Sequence, residues 1–188
     1  MIVGNGLISS VFLYNDLDYE DYIIFASGVS NTKKTNNEKF EREKKLLYNI
    51  IESNYNNLKL IYFSSILSDI CDLPYYNHKF EMENMIKKES NNYIIYRLPQ
   101  ILGCNGNSNN LVNYIKSNIE KKEQIVVYKN TFRSILDVDD LKKIVDLTIA
   151  KSCNEVINIS SIEKIKVSTL CKKIGSILGI KPELKIVE

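Results

Sequence analysis

Six short hydrophobic runs, separated by stretches that carry a helical stripe, constrain this sequence more than any other feature. Residues 1–3, 22–26 (YIIFA), 59–63 (KLIYF), 93–97 (YIIYR), 125–128 and 156–159 are rich in Ile, Val, Tyr or Phe and nearly continuous in hydrophobicity. Strands covered on both faces read this way, because neither face alternates toward water. Between them, residues 37–53 set Phe40, Leu46, Leu47, Ile50 and Ile51 among charges, and residues 75–89 do the same with Phe80, Met82, Met85 and Ile86. Residues 111–119, 140–150 and 167–178 complete the helical set, and Gly179 stands where a C-terminal cap is expected. Alternating β and α elements predict a doubly wound α/β fold: a parallel sheet with right-handed crossovers.

At 188 residues the chain is long enough to bury a core as a single domain, 1–188, with no internal repeat and no linker. Residues 105–110 (NGNSNN) read as a polar loop. Lys and Arg total 25 against 23 Asp and Glu, a net charge of +2, too even to make nucleic acid or an acidic membrane the presumptive partner. No run reaches the length of a membrane span, and no charged-then-apolar leader opens the chain. Cys71, Cys104, Cys153 and Cys171 form no CxxC, and His78 is the only histidine, so no metal site is expected. A reducing, cytoplasmic compartment is the simpler reading. A single histidine in a charged helix also argues against a Ser-His-Asp mechanism.

The sequence IVGNGLIS places Gly4 and Gly6 after a strand and before a helix, with Ser9 where the third glycine of GxGxxG would stand. Glycines here let the backbone approach a pyrophosphate lying on the helix N-terminus and its unpaired N–H groups, although a tight strand-to-helix turn without ligand uses the same residues. The next strand begins at about Tyr22, so only a helical stub, residues 7–14, fits between. A dinucleotide fold normally places further βα units there, so the expectation is a Rossmann-like sheet reduced in its adenosine-binding half. The acidic residue that usually reads the ribose has no clear counterpart, since the spacing of Asp16 and Asp18 does not license the assignment. In FASGVSN, Ala26, Ser27 and Gly28 are small residues at a strand end, where they either open a crevice for a flat ring or make a tight turn.

The third feature is YFSSILS, residues 62–68, followed by PYYNHK, residues 74–79. Tyr75 and Lys79 are four apart and share one helical face. A neighbouring ammonium favours the phenolate and draws a tyrosine pKa down from about 10. Such a phenol can pass a proton to or from a sugar oxygen, and Ser65 at the preceding strand end can donate a hydrogen bond to the same oxygen.

In this order, Gly-x-Gly, ASG, SS before PYxxxK, RLPQILG (97–103) and FRSILDVDD (132–140) resemble the extended short-chain dehydrogenase/reductase family. More narrowly, they resemble its NAD-dependent epimerase/dehydratase and nucleotide-sugar 4-ketoreductase branch. The resemblance implies Tyr75 as catalytic acid, Lys79 as its partner on the nicotinamide ribose, and Ser65 as the group polarising the substrate oxygen. It implies a cofactor, NAD or NADP, lined by Gly4, Gly6, Leu7, Ile8, Ala26, Ser27, Gly28, Ser64, Tyr75, Lys79, Leu98 and Pro99. Gln100 falls where the family usually has a substrate-contacting Asn, and Arg133 matches an arginine that clamps a nucleotide diphosphate, work suited to a bidentate guanidinium. Residues 99–135 and 155–188 are the implied substrate-binding portion.

The implied substrate is a nucleotide-linked sugar, with reduction of a 4-keto sugar favoured over epimerase or dehydratase chemistry. A reductase exchanges its cofactor every turn and tolerates a reduced adenosine site better. The rival is a non-catalytic relative that binds a nucleotide sugar and has lost the dinucleotide. The resemblance also implies a homodimer, through a four-helix bundle of residues 37–53 and 75–89. Among other residues, Asp139 reads as a helix N-cap, His78 as solvent-facing, Cys104 as a small buried hydrophobe, and Glu83 as an ion-pair partner on the helix surface.

Overall fold

A computed structural model describes residues 1–13, 19–29, 37–53, 57–103 and 110–188. Tyr14, Asp16, Asp18, Ser30, Asn31, Cys104 and most of the NGNSNN loop lie outside the described residues. The chain divides into two compact units, Met1–Leu98 with Val138–Ile159, and Pro99–Asp137 with Ser160–Glu188.

The first unit is an α/β layer structure. Its strands are β1 (Ile2–Val3), β2 (Tyr22–Phe25), β3 (Lys59–Ser65), β4 (Tyr93–Leu98) and, late in the chain, Glu155–Asn158. They form one five-stranded sheet in that order, and every pairing is parallel. Glu155–Asn158, within the expected substrate portion, is therefore a strand of this first sheet. Val3, Phe25, Tyr62, Ile95 and Val156 lie in one register row, so they face one side together. That side is covered by α2 (Asn37–Glu52) and α3 (Pro74–Glu89), whose Leu47, Ile50, Met82 and Ile86 join Phe25, Tyr62 and Ile95 in a buried cluster. The other side is covered by α1 (Leu7–Leu13) and by the helix Val138–Thr148. There Phe12 stacks on Phe63 at 5.9 Å, and the Tyr96 hydroxyl meets Thr148 Oγ1 at 2.7 Å. Continuous apolar runs are what a sheet covered on both faces requires.

The crossovers differ from the expectation. The steps β1 to β2 and β2 to β3 run the same way across the sheet, yet α1 and α2 lie on opposite faces. The two connections therefore have opposite hand, and one breaks the right-handed rule. The physical reason is the short passage from β1 to β2. The α1 helix is held by Phe12 against Phe63 and by the helix Val138–Thr148 on that face, with Tyr19 bonded to Asp146. β1 is an edge strand, and among the described residues the strand order never reverses, so the sheet has no topological switch point of the usual dinucleotide kind.

The second unit carries α4 (Leu111–Glu120) and three two-stranded sheets. Gln100–Leu102 pairs with Ile135–Asp137 in parallel, Phe132–Arg133 with Ile165–Lys166 antiparallel, and Ile125–Tyr128 with Leu184–Val187 in parallel. Its core joins Ile115, Ile119, Ile125 and Val127 to Val167, Leu170 and Cys171 of the helix Val167–Leu178. Gly179 ends that helix at φ 67°, as expected. Ile125–Tyr128 was expected as a strand, whereas Gln100–Leu102, Phe132–Arg133, Ile135–Asp137 and Ile165–Lys166 escaped the sequence pattern because two or three residues carry no readable period. Asp139 is not the N-cap: its helix already includes Val138, and Asp139 sits in the first turn, where its charge complements the dipole. No helix among the described residues is long and apolar enough to cross a membrane.

Gly4 and Gly6 are opposites in this fold. Gly4 has φ 128°, and a Cβ there would lie 2.5 Å from the Ala26 carbonyl oxygen, whereas a Cβ on Gly6 would meet nothing within 4 Å. Gly4→Ala is expected to cost on the order of 2 kcal/mol or more. Gly6→Ala is expected to stay within about 1 kcal/mol of the parent. Thermal denaturation of the two variants side by side checks this.

Candidate active site

Three separated sequence motifs meet in the first unit. Gly4 presses against Ala26 and Ser27, because a Cβ at Gly4 would stand 2.5 Å from the Ala26 oxygen and 2.9 Å from the Ser27 nitrogen. Two residues on, a Cβ at Gly28 would lie 2.5 Å from Lys79 Nζ and 3.1 Å from Glu43 Oε1. The glycine turn, the Ala26–Ser27–Gly28 segment and the PYxxxK helix are therefore consecutive neighbours around the ends of β1, β2 and β3. Arg42 of α2 steadies the middle segment, donating to the Ser27 carbonyl at 2.9 Å and to its hydroxyl at 3.3 Å.

At the centre of this meeting is a buried ion pair. Lys79 Nζ donates to Glu43 Oε1 at 2.8 Å and to the Tyr62 hydroxyl at 3.1 Å, and both ionic side chains are withdrawn from solvent. Tyr62 donates to the same Oε1 at 2.7 Å, the Val29 amide donates to Oε2 at 2.6 Å, and His78 Nε2 stands 3.1 Å from Oε2. Burial raises the Glu43 pKa, but Lys79, His78 and the Val29 amide outweigh it and hold the carboxyl well below the usual carboxylate range. Burial likewise pulls the Lys79 ammonium down, and Glu43 with Tyr75 more than offsets this, leaving it above the ordinary lysine value. Tyr62 is pushed well up, chiefly by burial and then by the Glu43 charge. Ammonium and carboxylate are thus both charged at neutral pH. Glu43 carried a readable signal: a charge at 43 among Phe40, Leu47 and Ile50 falls within the apolar stripe of its helix.

Tyr75 is half-buried and packs edge-on against Tyr76 at 5.1 Å. Burial raises its pKa, Lys79 lowers it, and Glu43 raises it again, with a net rise above the ordinary phenol. Lys79 does draw this phenol down, as expected, but burial outweighs it, so the net direction is upward. Ser65, the last residue of β3, is buried and accepts the Leu67 amide at 3.2 Å. Ser64 turns inward and donates its one hydroxyl proton to Glu83 Oε1 at 2.5 Å.

Two expectations about α3 are corrected. His78 is buried, stacked on Phe40 at 4.4 Å and facing Glu43, so it does not face solvent. Glu83 is buried too: Arg97 reaches it through Nε at 3.0 Å and Nη2 at 2.7 Å, and Ser68 donates at 2.7 Å. Arg97 also pairs with Asp69. The inward face of the helix is His78, Lys79, Met82, Glu83 and Ile86, while Phe80, expected in the stripe, is exposed. The spacing was legible but the polarity was not, because a charge enters a core only where a partner from another element meets it.

Of the remaining expected residues, Leu7, Ile8, Ala26, Ser27 and Gly28 are half-buried and Leu98 is buried in the first unit. Pro99, Gln100 and Arg133 belong to the second unit, where Pro99 and Gln100 are half-buried. Arg133 is exposed, and its Nη1 donates to the Phe132 carbonyl at 2.9 Å. Among the described residues nothing lies within 4 Å of the place a Cβ on Gly6 would take.

No protein-family model matches the sequence, and no curated protein matches it. Solved structures do match in fold. The UDP-glucose 4-epimerase of Thermus thermophilus, in complex with NAD, aligns at TM-score 0.73 and 14% identity, covering 88% of this chain and 64% of that one. The dTDP-glucose 4,6-dehydratase DesIV of Streptomyces venezuelae, a double mutant with NAD bound, gives 0.73 and 14%, covering 89% and 60%. RMD of Pseudomonas aeruginosa, complexed with NADPH, gives 0.72 and 14%, covering 90% and 70%. This chain thus has the Rossmann-like fold of the NAD-dependent epimerase and dehydratase structures, and it spans a little under two thirds of the length of the first two.

Breaking the central pair by Glu43→Leu leaves the Lys79 ammonium buried without its partner, at an expected cost of about 3–5 kcal/mol at neutral pH. Because the Glu43 pKa is depressed by folding, its contribution is complete above the ordinary carboxylate range and is lost as pH falls through it toward the folded value. Denaturant titrations below about pH 5 are expected to show a steep acid loss in the parent and a flatter profile in Glu43→Leu.

Proposed function

We propose that this protein is an NAD- or NADP-dependent oxidoreductase acting on a nucleotide-linked sugar, reducing a 4-keto sugar with Tyr75 as the acid. The observation that carries the reading is the gap at Gly28, where Lys79 and Glu43 stand in the space a side chain would fill and link the glycine turn to the Tyr75 helix. A nicotinamide cofactor, when bound, supplies the hydride. The amides after Gly4 and Gly6, at Leu7 and Ile8, would hold its diphosphate, and Ala26, Ser27, Gly28, Leu98, Pro99 and the Ser64 backbone would line it. Two of the three Lys79 donors are taken by Glu43 and Tyr62, leaving one for a ribose hydroxyl. Ser65 would donate a hydrogen bond to the sugar carbonyl oxygen, keeping its own proton, and Tyr75 would transfer its phenolic proton to that oxygen. Gln100 and Arg133 keep the roles the resemblance implies, a sugar contact and a diphosphate clamp.

Reduction is favoured over epimerase or dehydratase chemistry because the phenol is protonated at neutral pH and β1 is an edge strand. A cofactor released each turn needs a less complete adenosine site. The edge position of β1 also favours one second reading, a nucleotide-sugar-binding relative that no longer takes a dinucleotide. Calorimetric titration separates them. The oxidoreductase is expected to release or absorb heat with NADH or NADPH at millimolar concentration and to consume a 4-keto sugar nucleotide. Tyr75→Phe is expected to lower kcat by about 100-fold or more with KM little changed. No heat with either cofactor, together with an untouched keto sugar, transfers the case to the binding relative.

A homodimer remains part of the proposal. The apolar stripes of α2 and α3 already cover the sheet, so a dimer would use what those helices leave exposed, including Tyr48 and Phe80. Light scattering is expected to give twice the chain mass, and a monomer mass overturns this part alone.

A further inference from the structure

Glu43 has more contacts than the neutralisation of one lysine requires. Its Oε1 takes the Lys79 ammonium at 2.8 Å and the Tyr62 hydroxyl at 2.7 Å, while its Oε2 takes the Val29 amide at 2.6 Å and faces His78 at 3.1 Å. Those partners come from α3, from β3 and from the segment after β2, so the carboxylate cannot turn away from Lys79 without losing all of them. Tyr75 lies one helical turn before Lys79, on the same face. A lone ammonium there would stabilise the phenolate. An ammonium in contact with a carboxylate presents mainly a dipole, whose field falls off faster than that of a charge.

We propose that Glu43 is a positioning residue: by holding the Lys79 ammonium in a closed buried pair, it offsets part of that charge's pull on Tyr75 and so, together with burial, keeps the phenol in its protonated, proton-donating form. The proposal rests on the reading of Tyr75 as the proton donor. The titratable groups that face Tyr75 are Lys79 and the edge-on Tyr76 from its own helix, Glu43 from α2 and Tyr62 from β3. Tyr62 is neutral and bonded to Glu43, so the balance at Tyr75 is between burial, one ammonium and one carboxylate. The chemical consequence is directional. A donor to a carbonyl oxygen must carry its proton at the working pH, lose it to that oxygen as the phenolate forms, and regain it from solvent. Glu43 thus biases the site toward reduction, where an unpaired Lys79 would bias it toward proton removal.

The test is a tyrosinate absorbance titration of the ligand-free protein, with Tyr75→Phe subtracted to isolate one phenol. In the parent protein the Tyr75 transition is expected at or above that of free tyrosine. In Glu43→Gln, which keeps the shape but removes the charge, it is expected to fall by about one pH unit or more. Glu43→Asp, which keeps the charge, is expected to hold the parent value. Glu81→Gln, at an exposed position on the outer face of α3, serves as the control that leaves it unchanged. A Tyr75 transition well below free tyrosine in the parent overturns the proposal, and so does an unchanged or raised transition in Glu43→Gln. Should Glu43→Gln not fold, the parent and Glu43→Asp titrations decide it by the same criteria. The titration needs neither cofactor nor sugar, so failure of the oxidoreductase reading, seen as absent cofactor binding, is distinguishable from failure at Glu43.

Discussion

The ion pair between Glu43 and Lys79 is the constraint on which the arrangement of the first unit depends. Two charges withdrawn from water are tolerated only when each meets the other and further hydrogen bonds close the remaining valences. Tyr62, the Val29 amide and His78 supply them here, and the three come from different parts of the chain. One carboxylate therefore ties α2, α3, β3 and the end of β2 to each other. A side chain at Gly28 would stand 2.5 Å from Lys79 Nζ and 3.1 Å from Glu43 Oε1, so the pair would have to shift to admit it. A second buried pair, Glu83 with Arg97, does similar work at the end of β4 and takes the Ser64 and Ser68 hydroxyls with it. Both carboxylates lie under the residues expected to perform chemistry, so the site stands on a polar foundation inside an apolar sheet.

The other organising fact is the passage from β1 to β2. In the solved structures that share this fold, about a third or more of the chain has no counterpart here. Within this chain, β1 sits at the sheet edge and its crossover has the opposite hand to its neighbour. The arrangement preserves the glycine turn and its contact with Ala26 and Ser27 while leaving no strand, among the described residues, on the far side of β1.

Much of this was legible in the residues. Periodicity alone placed the main strands and helices, because an apolar run of four or five residues and an amphipathic stripe of sixteen carry strong local signals. The glycine turn, the small residues after β2 and the Tyr75–Lys79 spacing were legible for the same reason: each is a local feature with a local meaning. What could not be read was the company the side chains keep. Nothing near position 43 says that its carboxylate meets a lysine thirty-six residues later, and nothing near 83 announces Arg97.

The sequence by itself determined the class of fold, the order of its parts and which residues stand at the strand ends, since these follow from patterns a few residues long. Tertiary structure alone decided the charge around Tyr75, the inward turn of His78 and Glu83, and the hand of the first crossover. Those depend on groups far apart in the chain sharing one desolvated space, where the sign of an effect is set by which partner arrives, and burial outweighs a neighbouring lysine already held by another residue.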